Sequence, residues 1–232
     1  MQPCFGRQRP STINSPGKSF FARLIVIALA AHAVSPGLVQ AQSGKFGAYS
    51  GTINVSGTEV NPQVSFRASA KVTLPVTERD GSSATAEFLS GEAPNATVLI
   101  SQWDVSFKEK SPDSDGKFSS WTCALAAPTE VSMKPTGTLN VDLKKKKHSL
   151  SLTLISTTDV AFNCMNSRSG AYKKKEGVAL YIGTGAPGAQ SETQLPFADA
   201  ARLTASYTLM PTAETKGTYG PIIQEWDLRL VR

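Results

Sequence analysis

Between Val64 and Leu74 apolar residues fall at every second position. Val64, Phe66, Ala68, Ala70, Val72 and Leu74 alternate with Ser65, Arg67, Ser69, Lys71 and Thr73. A period of two places one set of side chains on each side of an extended chain, so this segment can fold only as a strand with one buried face and one wet face. The pattern returns at Leu139, Val141 and Leu143 and again at Leu150, Leu152 and Leu154, on either side of Lys144-Lys145-Lys146-Lys147. Two alternating runs separated by a polar tract predict a hairpin with the lysines in its turn. The charge run reads as a solvated tip that discourages edge-to-edge association rather than as a polyanion site.

Further strands are expected at 48 to 56, 84 to 90, 97 to 107, 118 to 125, 129 to 134, 158 to 165, 177 to 182, 201 to 210 and 222 to 231. No segment keeps a 3.6-residue apolar period, and the best helix candidate is the short Pro196-Phe197-Ala198-Asp199-Ala200-Ala201. Loops are marked by Ser111 to Gly116, by Asn166 to Gly177 with Lys173 to Lys175, and by Gly183 to Pro196. The expected class is therefore all-β, an antiparallel β-sandwich. A choice between sandwich and closed barrel does not follow from strand patterns alone.

The first residues set the compartment. A basic segment with Arg7, Arg9, Lys18 and Arg23 leads into the apolar run Leu24 to Val34. Ser35-Pro36-Gly37 and then Val39-Gln40-Ala41 follow. This is the order of a secretory signal peptide, residues 1–41, with cleavage expected between Ala41 and Gln42. The apolar run is about half the roughly 20 residues that a bilayer requires, so no membrane-spanning helix is expected once the signal is removed. The expected location is secreted or periplasmic, with residues 42–232 as the mature domain.

Export changes the reading of charge and cysteine. The formal charge of +6 falls to +2 when the four cations of the signal leave, because all 18 acidic residues follow it. Nucleic acid as a partner loses its electrostatic basis. Two cysteines remain, Cys123 and Cys164, and in an oxidising compartment they predict a disulfide.

Three short segments match one another in order. Ser50 to Val55 parallels Thr136 to Val141, Ala68 to Pro75 parallels Ala205 to Pro211, and Ile100 to Phe107 parallels Ile223 to Leu230. A duplication would give two pseudo-symmetric halves, 46–110 and 136–232, joined by 111–135. Chance reuse of Gly-Thr-apolar and alternating patterns explains the same matches.

The last pair brings the only candidate constellation, Trp103 and Asp104 with Trp226 and Asp227. Two equivalent carboxylates would serve a carbohydrate-active hydrolase as acid and nucleophile, and exposed tryptophans would stack on sugar rings. Alternation gives a plainer reading, with core tryptophans and solvated aspartates. His148, the one histidine after the signal, follows the lysine run and reads as a solvated turn residue. Gly183-Thr184-Gly185-Ala186-Pro187-Gly188 satisfies GxGxxG but no helix or βαβ unit surrounds it, so no dinucleotide cofactor is expected. Asp113-Ser114-Asp115-Gly116 lacks the glutamate of a calcium loop, since Ala124 stands at that position, and no metal is expected. Asn54-Val55-Ser56 and Asn95-Ala96-Thr97 are glycosylation sequons by pattern.

No catalytic set therefore emerges. The expected role is binding or cell-envelope structure, with a protein or glycan of the envelope as partner. A hydrolase using Asp104 and Asp227, or an outer-membrane β-barrel, stands as the alternative.

Overall fold

The computed structural model describes residues 46–60, 62–88, 93–109, 116, 118–185, 193–212, 217 and 219–232. The expected signal peptide, with Ala41 and Gln42, lies outside the described residues, as do Ser111 to Asp115. The chain forms strands β1 (Ala48–Val60), β2 (Gln63–Pro75), β3 (Glu78–Arg79), β4 (Ser83–Phe88), β5 (Ala96–Lys108), β6 (Ser120–Leu125) and β7 (Thr129–Asp142). It continues through β8 (Lys147–Ser156), β9 (Val160–Asn166), β10 (Gly170–Glu176), β11 (Ala179–Gly183), β12 (Leu195–Pro196), β13 (Arg202–Leu209) and β14 (Tyr219–Val231). The fold is all-β and every pairing is antiparallel.

The pairings describe one meander whose long strands are broken in the middle. β5 holds β6 and β7 on the same edge, with Asp104↔Ala124 and Ile100↔Thr129, so Ala126-Ala127-Pro128 only interrupts a continuous run. β8 and β9 answer them in the same way, through Met133↔Ser156 and Leu125↔Phe162, and β11 and β10 extend the set. On its other edge β7 passes from β5, which ends at Met133, to β4, which starts at Gly137. Pro135 falls in that gap, where its missing N–H leaves no ladder bond unmade.

The last strand returns to the first, with β14 pairing β1 from Ala48↔Val231 to Glu59↔Tyr219. The sheet is nevertheless not closed into a barrel. Among the described residues β13 pairs only β14, and neither β10 nor β11 pairs β13.

One face of this wrapped sheet is the core. All six apolar positions from Val64 to Leu74 are buried, as are Leu150, Leu152 and Leu154 of β8 and Leu180 and Ile182 of β11. Each such leucine contributes about 2 kcal/mol of apolar transfer. The opposite face carries Arg67, Lys71, Thr97, Ser101 and Glu130. The expected hairpin is β7–β8, with Leu143 to Lys146 as its turn and Lys146 at φ 51°.

Three expectations need correction. The segment from Asn166 to Gly177 is not all loop, because Gly170 to Glu176 forms β10 along β9. As an edge strand it needs no apolar alternation, and its lysines guard the exposed edge. Pro196 to Ala201 is not a helix: it begins in β12 and ends in a turn where the Asp199 carboxylate accepts the Ala201 N–H at 2.8 Å. His148 is not in the turn but on the core face of β8, 1% exposed. The three segments of the first expected half are ladder neighbours, β1–β2–β5, whereas in the second half only β13 and β14 are, with β8 to β11 placed between β7 and β13.

Candidate functional site

Trp103 and Trp226 lie on the core face, 9% and 4% exposed, so neither offers a platform for a sugar ring. Trp103 packs on Phe66 with ring centroids 5.7 Å apart. Asp104 and Asp227 point the other way, as alternation dictates. Asp104 accepts a hydrogen bond from the Gln102 amide at 2.8 Å. Asp227 accepts two from the Arg202 guanidinium, at 2.9 and 2.8 Å, and these bonds hold its carboxyl below the ordinary value.

The ladders separate the two aspartates. Asp227 lies opposite Thr52, Thr52 opposite Lys71, and Asp104 opposite Ser65, six residues further along β2. Three strand spacings and six residues of rise put them about 25 Å apart. A glycosidase pair needs about 5 to 10 Å. The expected hydrolase pair is thus not brought together, because one copy of the Trp-Asp motif sits near the β1–β2 turn and the other near the opposite end of the sheet.

Cys123 and Cys164 form the expected disulfide as direct cross-strand partners of β6 and β9, with Cα atoms 4.0 Å apart. β6 and β9 continue the β7–β8 hairpin, and the bond staples its far end. Phe162 shares the core face, and the Tyr172 hydroxyl lies 3.9 Å from the Cys123 Sγ. Trp121 stacks on Phe107 with centroids 5.6 Å apart.

A buried polar cluster that strand counting missed joins β14 to the strands facing it. The Gln224 carboxamide accepts the Gly183 N–H at 2.7 Å and donates to the Gly183 carbonyl at 3.0 Å. Thr184 donates its N–H to the Leu150 carbonyl at 2.8 Å, so the neighbouring Gly183 amide faces away from β8 at the free edge of β11. Gln224 therefore supplies the partner that a further strand would have supplied. Two residues on, the Trp226 indole N–H donates to His148 Nε2 at 3.1 Å, with the rings nearly perpendicular at 83°. His148 Nδ1 finds no hydrogen-bond partner. Burial pushes the imidazole below its ordinary pKa, offset in part by the Leu195 backbone. The signal for His148 was its phase with Leu150, Leu152 and Leu154. Gly183, the first glycine of the GxGxxG tract, closes β11, and residues 186–192 lie outside the described residues.

The wet face carries a shallow concavity of about 450 Å³ across β2, β5, β6 and β9. Gln63, Ser65, Asp104, Ser106, Thr122 and Asn163 line it with two carboxamides, three hydroxyls and one carboxylate, and Val105, Ala124, Met165, Ala171 and the Cys123–Cys164 disulfide supply the apolar rest of its lining. Among the described residues no group of three His, Cys, Asp or Glu side chains is placed to hold a metal ion. Fold and surface together define an antiparallel β-protein with a shallow groove of mixed polar and apolar lining on a strand face. No family model, no curated protein and no solved structure matches this chain.

Proposed function

We propose that this is an exported, non-catalytic binding protein whose ligand is a glycan of the cell envelope, held in the groove around Asp104. The groove carries the reading: six polar side chains from four adjacent strands offer donors and acceptors to a polyhydroxylated chain, beside the apolar Ala124, Met165 and Ala171. The leader pattern and the Cys123–Cys164 bond support export. The polar outer face speaks against a lipid-facing barrel, where an Arg67 or Lys71 at mid-membrane would each cost about 2 to 4 kcal/mol.

The test is retention of the processed protein on purified envelope polysaccharide. Asp104→Asn combined with Asn163→Ala should reduce binding at least tenfold, while Arg202→Ala, remote from the groove, should leave it unchanged. Equal retention of the double variant would reject the groove. Recovery in alkali-washed outer membranes rather than in osmotic-shock fluid would reject the whole reading.

A further inference from the structure

We propose that the His148–Trp226 contact is a proton-operated latch, whose protonation releases β14 and β13 from β8 and β11, to which no ladder joins them among the described residues. The step is a simple proton uptake. Trp226 Nε1 donates to His148 Nε2, which fixes the neutral ring with its proton on Nδ1. A proton arriving from solvent must take the Nε2 lone pair, and two N–H groups then face each other at 3.1 Å. No other bond changes, yet the hydrogen bond is lost and a cation is left in the core.

Only the Leu195 backbone favours that cation, and its effect is smaller than the cost of burial. The ring meets Trp226 from β14, Val141 from β7, Leu195 from β12 and Phe197 just beyond it. None of these titrates. Among the described residues, the charges on the same elements point elsewhere. Lys146 and Lys147 are exposed, and Asp142 pairs with Lys145 at 3.3 Å. Glu225 and Asp227 flank Trp226 on the outer face, and Asp199 caps Ala201. Burial accordingly depresses the imidazole's proton affinity.

Release rather than global unfolding follows from where the ring sits. The seam is held by the Gln224–Gly183 pair, by the Tyr207 hydroxyl on Thr193 Oγ1 at 3.4 Å, and by this contact. β14 keeps its ladders with β1 on one edge and β13 on the other, so the released contact is between core-facing side chains.

Hydrogen exchange of the intact protein, corrected for intrinsic rates, tests the latch between about pH 8 and about pH 5. The Gly183 amide, bonded to Gln224 across the seam, should lose protection by about tenfold per pH unit below about pH 6.5, while Gln63–Pro75 and the β13–β14 ladder stay protected. His148→Gln, which keeps an acceptor and cannot titrate, should abolish that slope. Should this variant fail to fold, the wild-type imidazole resonances serve instead, and their titration must coincide with the loss of seam protection. A flat seam, an unchanged slope in His148→Gln, equal loss in β2, or an imidazole titration displaced from the opening would each overturn the proposal.

Discussion

β14 is fastened in two different ways. Toward β1 it is bound by backbone, in a ladder running from Ala48↔Val231 to Glu59↔Tyr219 with one irregularity near Gly57. Toward β8 and β11 it is bound by side chains, Gln224 on Gly183 and Trp226 on His148. Away from the glycines at its close approaches the ladder depends little on residue type, since any residue but proline can make its bonds. The seam depends on a few residues, and each of them must carry the right polar atom to the right place. A buried side-chain pair costs more to break than it contributes when made, because the abandoned partner stays desolvated. The first joint should therefore tolerate substitution and the second should not.

Substitutions sharpen that contrast. The largest effect should come from the staple that closes the β7–β8 hairpin at its far end. Cys123→Ala with Cys164→Ala frees a loop with a sequence separation of 41 and should lower stability by about 4 kcal/mol on the chain-entropy model, read from urea unfolding. Next is the seam itself. Gln224→Leu fills similar space but orphans the Gly183 N–H and carbonyl, and should cost about 3 kcal/mol with exchange raised first in β11.

The ladder side is sensitive where a glycine lets the two backbones approach, as at Gly51 and Gly47. A Cβ at Gly51 would meet the Asp227 carbonyl oxygen across the β1–β14 pair, so Gly51→Ala should force the strands apart locally and cost about 2 kcal/mol. A loss in Gly51→Ala larger than in Gln224→Leu would invert the comparison. Smallest of all is Arg202→Ala. Its ion pair with Asp227 lies on the solvent face, where screening and side-chain entropy offset the attraction, and the unfolding midpoint should not move.

Acid should act on the two joints unequally. The His148 imidazole is held below its ordinary value of 6.5 by burial, so the unfolded chain binds the proton more readily than the folded one. Stability is whole above about pH 6.5 and falls as pH drops from there toward the depressed folded value. Unfolding midpoints measured across that interval should decline in the wild type and stay level in His148→Gln.

Period-two patterning located nearly every strand because each has one apolar face and one wet face, the condition under which alternation is informative. It placed the tryptophans inward and the aspartates outward for the same reason. β10 escaped because an edge strand with Tyr172, Lys173 and Lys174 in succession has no apolar rhythm to detect. His148 was misplaced by attention to its neighbours in sequence, four lysines, when its phase with Leu150, Leu152 and Leu154 already assigned it to the core. The long run of β7 through Pro135 was hidden by a residue that usually ends strands, and only the transfer of its edge from β5 to β4 makes room for it. The Gln224–Gly183 bond had no local sign at all. It joins residues 41 apart in sequence through a backbone amide, and no residue pattern encodes that. Of the candidate site, Asp104 was visible as an outward carboxylate, but its companions come from β2, β6 and β9 and needed the register to assemble.

The measurement that reaches the central claim most directly is residue-resolved amide exchange at neutral pH, comparing β14 with β13. A ladder at one joint and side chains at the other predict slow exchange for the β14 amides bonded to β1 and fast exchange for the β13 amides that face away from β14. Slow exchange on both edges of β13 would mean that a further strand covers it and would contradict the open seam.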